Sequence, residues 1–173
     1  IAAAAGDGSL PPSAYLHVSR RAVLLAGQAV RFDPTAITGD PEFNGDLAGL
    51  LKGRLGVELP DAPSQPIVLP ADAAAAAEAI EGLRERIVAQ AEPEAQALGA
   101  YLAQQGLTGR SGVVDVGYRA TIQAGLQKIT GHGLAGFYCG TFPEAEAVEA
   151  PQPGRLANLS VRAAARGDRK SVV

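Results

Sequence analysis

Methionine and tryptophan are absent from this chain, and cysteine occurs once. A single Cys excludes an internal disulfide framework and any Cys-cluster zinc site. Two histidines, His17 and His132, leave little for a His-based metal centre and show no ligand spacing. Aromatic residues make up 5% of the 173 residues, so bulky side chains that normally fill a core are scarce. No apolar run approaches the ~20 residues of a membrane-spanning helix. Charged residues make up 19% and sum to −3, which argues against a basic nucleic-acid surface and against an acidic disordered chain. The expectation is a cytoplasmic chain with no nucleic-acid partner and no membrane span.

What is present is apolar but small. The hydrophobic content is 47%, yet 34 Ala and 21 Gly account for about a third of the chain. The length suits one domain with a core thinner than the hydrophobic fraction implies. With no Met and Ile1 in first place, the sequence reads as a processed chain or a piece of a longer one. Its Ala, Gly and Arg usage fits a GC-rich bacterial source. The last six residues, Asp168 to Val173, resemble the translation of a sequencing adapter, so 168–173 reads as non-natural.

Three regions follow from composition: a disordered linker over 1–14, an α/β domain over 15–142 with a helical insertion at about 40–106, and an irregular tail over 143–173. Tyr15–Val18 reads as a β-rich strand. Ser19 can N-cap a short helix over Ala22–Ala26, which Gly27 would end. Asp33 or Thr35 can cap a brief turn. Asp40-Pro41 reads as a helix start, with Phe43, Leu47, Leu50, Leu51 and Leu55 on one face and Gly56 as the stop. Residues 57–70, rich in proline, read as a connector. Ala71–Glu92 is the strongest helical signal, with Ile80, Leu83, Ile87 and Val88 as its stripe. Pro93 should break it or start a second helix over 94–105, with Ala97, Leu98, Tyr101 and Leu102 inward and Gly106 as the cap.

Gly112–Gly117 reads as a strand with a polar exit, Arg119–Thr130 as a helix, and Leu134–Cys139 as a second strand. Strand, helix and strand within about 28 residues make a parallel βαβ unit. The predicted fold is therefore α/β: a parallel βαβ core with an inserted Ala-rich helical region.

Chemistry in open α/β sheets sits at the carboxyl ends of the strands. Here those ends carry Ser19 and Arg20, and Asp115, Gly117 and Tyr118. Gly117 permits close backbone approach to a ligand. Thr121 lies in the first turn of the following helix, where free N–H groups and the dipole suit phosphate. Asp115 can hold a hydroxyl or an ion, Gln123 can hydrogen-bond a sugar or base, and Arg20 can fork onto a phosphate. The plain alternatives are a strand-to-helix turn for Asp115 and Gly117, a helix cap for Ser19 and a solvated or ion-paired Arg20. Cys139, in an apolar strand, reads as an inert thiol, and Glu144, Glu146 and Glu149 as a solvated run. The sequence names no cofactor; Mg²⁺ is the ion that a phosphate ligand would bring. Walker A, G-x-S-x-G and H-E-x-x-H signatures do not occur.

Two segments carry a family resemblance. Tyr15-Leu16-His17-Val18-Ser19-Arg20-Arg21-Ala22 resembles a strand followed by a Ser-Arg motif. Val113 to Gln123, with Leu134–Gly140 after it, resembles the pattern V-D-I-G-[WY]-x-G-[ST]-x-Q followed by G-x-Y-x-G. In this order, with a helical region between, they resemble the part that follows the phosphatase-like domain in large bacterial haloacid dehalogenase superfamily proteins. Those proteins are described as hydrolases linked to surface polysaccharide or glycosyl-transfer functions. The resemblance spans roughly residues 15–142. It implies a small phosphorylated or nucleotide-linked sugar ligand and other domains of the same full-length chain as partners. The pattern has Gly where this chain has Ala120. The D-x-D strand that carries the superfamily's aspartyl nucleophile is absent, so the resemblance does not imply hydrolysis by this chain. A second resemblance, to the phosphate loop of type I phosphoribosyltransferases, places Asp115 and Thr121 at a diphosphate. That loop has two adjacent acids where Val114-Asp115-Val116 supplies one. A purely structural domain is the third reading.

Overall fold

A computed structural model describes residues 13–39, 42–107, 111–117 and 119–138. The expected linker, apart from its last two residues, and the expected tail lie outside these, as do Asp40, Pro41, Tyr118 and Cys139. Six helices and four short strands are described: α1 Arg20–Val30, α2 Pro34–Thr38, β1 Phe43–Asp46, α3 Leu47–Leu55, β2 Pro66–Leu69, α4 Ala73–Glu81, α5 Arg84–Gln104, β3 Gly112–Asp115, α6 Thr121–Thr130 and β4 Ala135–Tyr138. The architecture is mixed α/β and mainly helical.

The parallel pair is a small part of it. β3 and β4 run parallel, with Gly112 opposite Ala135 and Asp115 opposite Tyr138, and α6 connects them. The other sheet, β1 with β2, is antiparallel. Among the described residues each sheet has two strands, so helix packing rather than a wide parallel sheet makes the core.

That core has two apolar clusters. The larger joins Ile37, the four α3 leucines, Ile67 and Leu69 of β2, Ile80 of α4 and Ile87 of α5. The smaller joins Val23, Leu102, Val113, Leu126 and Leu134. Helix α1 serves both, because Leu24 and Leu25 pack on the first cluster and Val23 belongs to the second. Helix α5 does the same along its length: its 21 residues span about 31 Å at 1.5 Å each. Ile87 lies near one end of it and Leu98, Tyr101 and Leu102 near the other.

Several local expectations change. Tyr15–Val18 forms no strand; Leu16 and Val18 pack on the smaller cluster and the His17 N–H donates to the Tyr101 hydroxyl at 2.9 Å. Without a partner strand among the described residues, the segment docks through the Leu16 and Val18 side chains, while those of Tyr15 and His17 stay exposed. Ser19 does N-cap α1, its Oγ accepting from Ala22 N at 3.1 Å. Gly27 does not end that helix. It is buried within α1, and a Cβ there would lie 3.2 Å from the Lys128 side chain on α6. Helix contact overrides the weak propensity of one glycine.

Asp33 caps α2 through Thr35 N and Ala36 N. The helix expected from Asp40 starts instead at Leu47. Asn44 and Gly45 are poor helix formers, and Asp46 Oδ1 takes the N-cap by accepting from Gly49 N at 2.7 Å. Gly56 ends α3 in the left-handed region, φ 75°. The connector over 57–70 contains β2. The long Ala-rich helix breaks at Gly82–Leu83, not at Pro93, which stands exposed inside α5. Ala97, expected inward, is exposed.

Candidate functional site

The sequence-derived candidates do not all share one place. Three segments meet at a small open concavity of about 50 Å³: Arg20 at the start of α1, Asp115 and Gly117 at the exit of β3, and Arg119 to Ile122 at the start of α6. Arg20 reaches this place through helix packing. Helix α1 lies against α6 so closely that a Cβ on Gly125 would come within 2.6 Å of Val23 Cβ. Only a glycine at that crossing permits the approach.

Asp115 closes the strand exit on itself: its Oδ1 accepts from Gly117 N at 2.9 Å, two residues on. This Asx-type turn orients the carboxylate and bends the chain toward α6. Ala120 then precedes the helix at φ 54°, ψ 20°. It is the only described non-glycine residue with positive φ, it is 2% exposed, and it packs on Tyr138. The left-handed region favours glycine by roughly 1–2 kcal/mol. Position 120 is therefore one whose backbone favours glycine, although alanine occupies it.

No side-chain cap bonds the N-terminus of α6, and its first internal hydrogen bond runs from Ala124 N to Ala120 O at 2.9 Å. The N–H groups of the first turn are left for solvent or an anion. Among the described residues, Thr121 supplies the one hydroxyl in the lining, and no histidine or lysine lines it.

Ser19 and Gln123 have other work. Ser19 is spent as the α1 cap and does not line the concavity. Gln123 is buried, so the expectation that it meets a sugar or base is corrected. Its Nε2 donates to Leu134 O at 2.8 Å and to Gln127 Oε1 at 2.9 Å, and its Oε1 accepts from the Tyr138 hydroxyl at 2.7 Å. Burial and the Asp115 charge push the Tyr138 hydroxyl up to about 12, so it keeps its proton and donates. Gly136 makes room for the network, since a Cβ there would collide with Gln123 Oε1. This amide clamps α6 to β4. Tyr118 lies outside the described residues.

The concavity's charge suits an anion. Two arginines, Arg20 and Arg119, line it beside one acid, Asp115, and a helix N-terminus adds partial positive charge. The volume limits what fits: a few water-sized positions, against the ~300–1,000 Å³ of an ordinary small-molecule pocket. One phosphate-sized group is accommodated, with the rest of a ligand outside. Among the described residues the lining offers one carboxylate, with one oxygen already accepting from Gly117, and one hydroxyl, a donor set that does not suit resident Mg²⁺. Among the described residues, no group of three or more His, Cys, Asp or Glu is placed to hold a metal ion.

One string escapes the motif reading. Gly131-His132-Gly133-Leu134-Ala135-Gly136 spells G-x-G-x-x-G. The dinucleotide fingerprint needs a strand before it and a helix after. Here the run leaves α6 and enters β4, the reverse order, so it presents no helix N-terminus to a phosphate.

No family model, no curated protein and no solved structure matches this chain. Its architecture and the concavity between α1, β3 and α6 are the grounds on which function can be argued.

Proposed function

We propose that this chain is an accessory α/β domain that binds the phosphate of a phosphorylated or nucleotide-linked sugar at the concavity between α1, β3 and α6. The observation that carries the reading is the convergence there of Arg20, Asp115 and Gly117, and the uncapped N-terminus of α6. These come from segments about 95 residues apart in sequence. The phosphate seats against the first-turn N–H groups and Thr121, with the Arg20 guanidinium as its charged partner. Asp115 receives a sugar hydroxyl at the rim through the oxygen not given to Gly117.

The lining favours binding over chemistry. It contains one hydroxyl and no histidine or lysine to activate it among the described residues. The resemblance to the region beside the phosphatase-like domain of haloacid dehalogenase superfamily proteins supports the sugar phosphate and polysaccharide context. It also supports a parallel βαβ core as the platform, a cytoplasmic location, and partnership with other domains of a longer chain. No helix among the described residues is long and apolar enough to cross a membrane. The phosphoribosyltransferase reading gains no support, because Val114 and Val116, which flank Asp115, are exposed apolar residues where a second acid would be needed.

Calorimetric titration with a hexose 1-phosphate and with the free hexose tests the reading. The phosphate ester should bind and the free sugar should not. Arg20→Ala should weaken the ester by about ten- to a hundredfold, the worth of one charge-assisted hydrogen bond, with little change in stability. Equal binding of ester and free sugar, or an unaffected Arg20→Ala variant, returns Asp115 and Gly117 to a structural turn.

A further inference from the structure

Three of the six large apolar side chains that stand exposed among the described residues belong to one strand pair: Val114 at 73%, Val116 at 80% and Phe137 at 39%. Alternation along the strands explains this. Val113, Gly136 and Tyr138 turn inward, where Val113 packs with Leu126 of α6 and Tyr138 bonds to Gln123. Gly112, Val114 and Phe137 therefore turn outward. Val114 is the register partner of Phe137, and the Phe137 ring lies over Gly112, where a Cβ would come within 2.8 Å of it. Parallel strands are normally covered on both faces. Here α6 covers one face, and the other presents bare hydrocarbon.

This face begins at the concavity. Val116 stands between Asp115 and Gly117, both of which line it. Val114 lies one pleat repeat behind Val116, about 7 Å. The 50 Å³ concavity takes a phosphate-sized group and leaves the substituents on that phosphate outside. Beside it, Gly112, Val114, Val116 and Phe137 have no side-chain donor or acceptor. A nucleobase laid over them would lose water from its polar edges with nothing in exchange. A hydrocarbon chain has no such cost and gains by leaving water.

Resting on the phosphate-site reading above, we infer that the bound phosphate is esterified to a hydrocarbon chain, which lies along Val116, Val114 and Phe137. This narrows the ligand class from sugar phosphates in general to a sugar carried on a lipid-like phosphate rather than on a nucleotide. The concavity holds the phosphate, the free Asp115 oxygen takes the sugar hydroxyl, and the outward face of β3 and β4 selects the apolar ester.

The test uses the whole chain, with methyl phosphate, hexyl phosphate and adenosine 5′-monophosphate as probes, titrated calorimetrically at fixed ionic strength. A methylene is worth up to about fourfold in affinity when fully buried. On an open face, the methylenes that hexyl phosphate adds should together give at least about tenfold over methyl phosphate. Adenosine monophosphate should bind more weakly than hexyl phosphate. The double variant Val114→Thr/Val116→Thr keeps the β-branched shape and replaces two methyls with hydroxyls. It should weaken hexyl phosphate by about fivefold or more and leave methyl phosphate within about twofold. Val68→Thr, at the exposed valine of β2, is the control and should change neither affinity by more than about twofold. The double variant should melt with wild type, because both valines are exposed. Four results overturn the hydrocarbon inference while the phosphate site stands: equal affinity for hexyl and methyl phosphate, tighter binding of adenosine monophosphate than of hexyl phosphate, equal losses in the double variant and Val68→Thr, or early melting of the double variant, which means that protein covers the face. Failure of every probe to bind wild type overturns both.

Discussion

Ala120 shows how one residue can record a site's requirements. Its φ of 54° is set by the tight passage from the Asp115 turn into α6, and its methyl is buried against Tyr138. Replacing it with glycine removes roughly 1–2 kcal/mol of left-handed strain. Against that stand about 0.4–1 kcal/mol of extra unfolded-state entropy and about 0.8 kcal/mol of lost methyl burial. The effects nearly cancel, so Ala120→Gly should change stability by less than about 0.5 kcal/mol. Ala76→Gly, at a buried position inside α4, has no strain to relieve and should cost about 2 kcal/mol. Urea denaturation of the pair checks the contrast. A loss as large at Ala120 as at Ala76 would mean that the backbone at 120 is not held left-handed. At this scale much was legible. Ser19 is recognisable as a cap, and Asp115 with Gly117 as a strand exit, because both signals are local hydrogen-bond chemistry. Gln123 was not. A glutamine in the first turn of a helix reads equally as ligand contact or core clamp, and only the fold shows that Gly136 leaves a space for its amide beside Tyr138.

At the scale of elements, the Ala-rich region shows where local rules yield. Gly82 ends α4, and Pro93 is carried inside α5 even though its ring nitrogen cannot donate to Ala89. Burial of Ile87 and Ala91 before the proline and Leu102 after it holds the helix together across the missing bond. Proline inside a helix costs about 3 kcal/mol relative to alanine. The stiffer unfolded chain returns about 0.4–1 kcal/mol of that. Pro93→Ala should therefore stabilise the protein by about 2 kcal/mol, measurable as a higher denaturation midpoint at unchanged slope. A neutral or destabilising result would show that the helix turns at 93 rather than passing through. Proline and glycine are the strongest signals in a sequence, but their effect is decided by packing at longer range. For the same reason Gly27 was not legible as a helix-interior residue: its partner, Lys128, lies 101 positions away. The early start of the α3 signal failed differently. An apolar stripe that includes Phe43 fits a helix from Asp40, yet the same phenylalanine pairs with Leu69 in a sheet.

For the whole molecule, the two apolar clusters are joined by α1 and α5 rather than by a sheet. A small-residue composition makes this workable. Glycine at 125 lets helices approach where a sheet would otherwise have to supply the area. Leu126 is fully buried in the smaller cluster, and Leu126→Ala should cost about 2–5 kcal/mol. Since α1 is common to both clusters, the loss should appear as one transition. Hydrogen exchange at Leu50, in the larger cluster, should accelerate along with that at Val113. Faster exchange at Val113 alone would mean that the clusters unfold separately. The mixed α/β class was legible from the alternation of strand and helix signals over 112–138. The helical bulk of the core was not, because the pairing of α1 with α5 and α6 joins residues some 70 to 100 positions apart.

The central claim is that Arg20, the Asp115–Gly117 turn and the α6 N-terminus form one anion site. A titration of the ¹⁵N-labelled chain with inorganic phosphate, followed through its amide resonances, tests this most directly. The shifts should saturate and concentrate at Arg20, Gly117 and Arg119 to Ile122, and they should shrink in Arg20→Ala. Shifts that stay linear with phosphate, spread over the surface or persist unchanged in Arg20→Ala would contradict it.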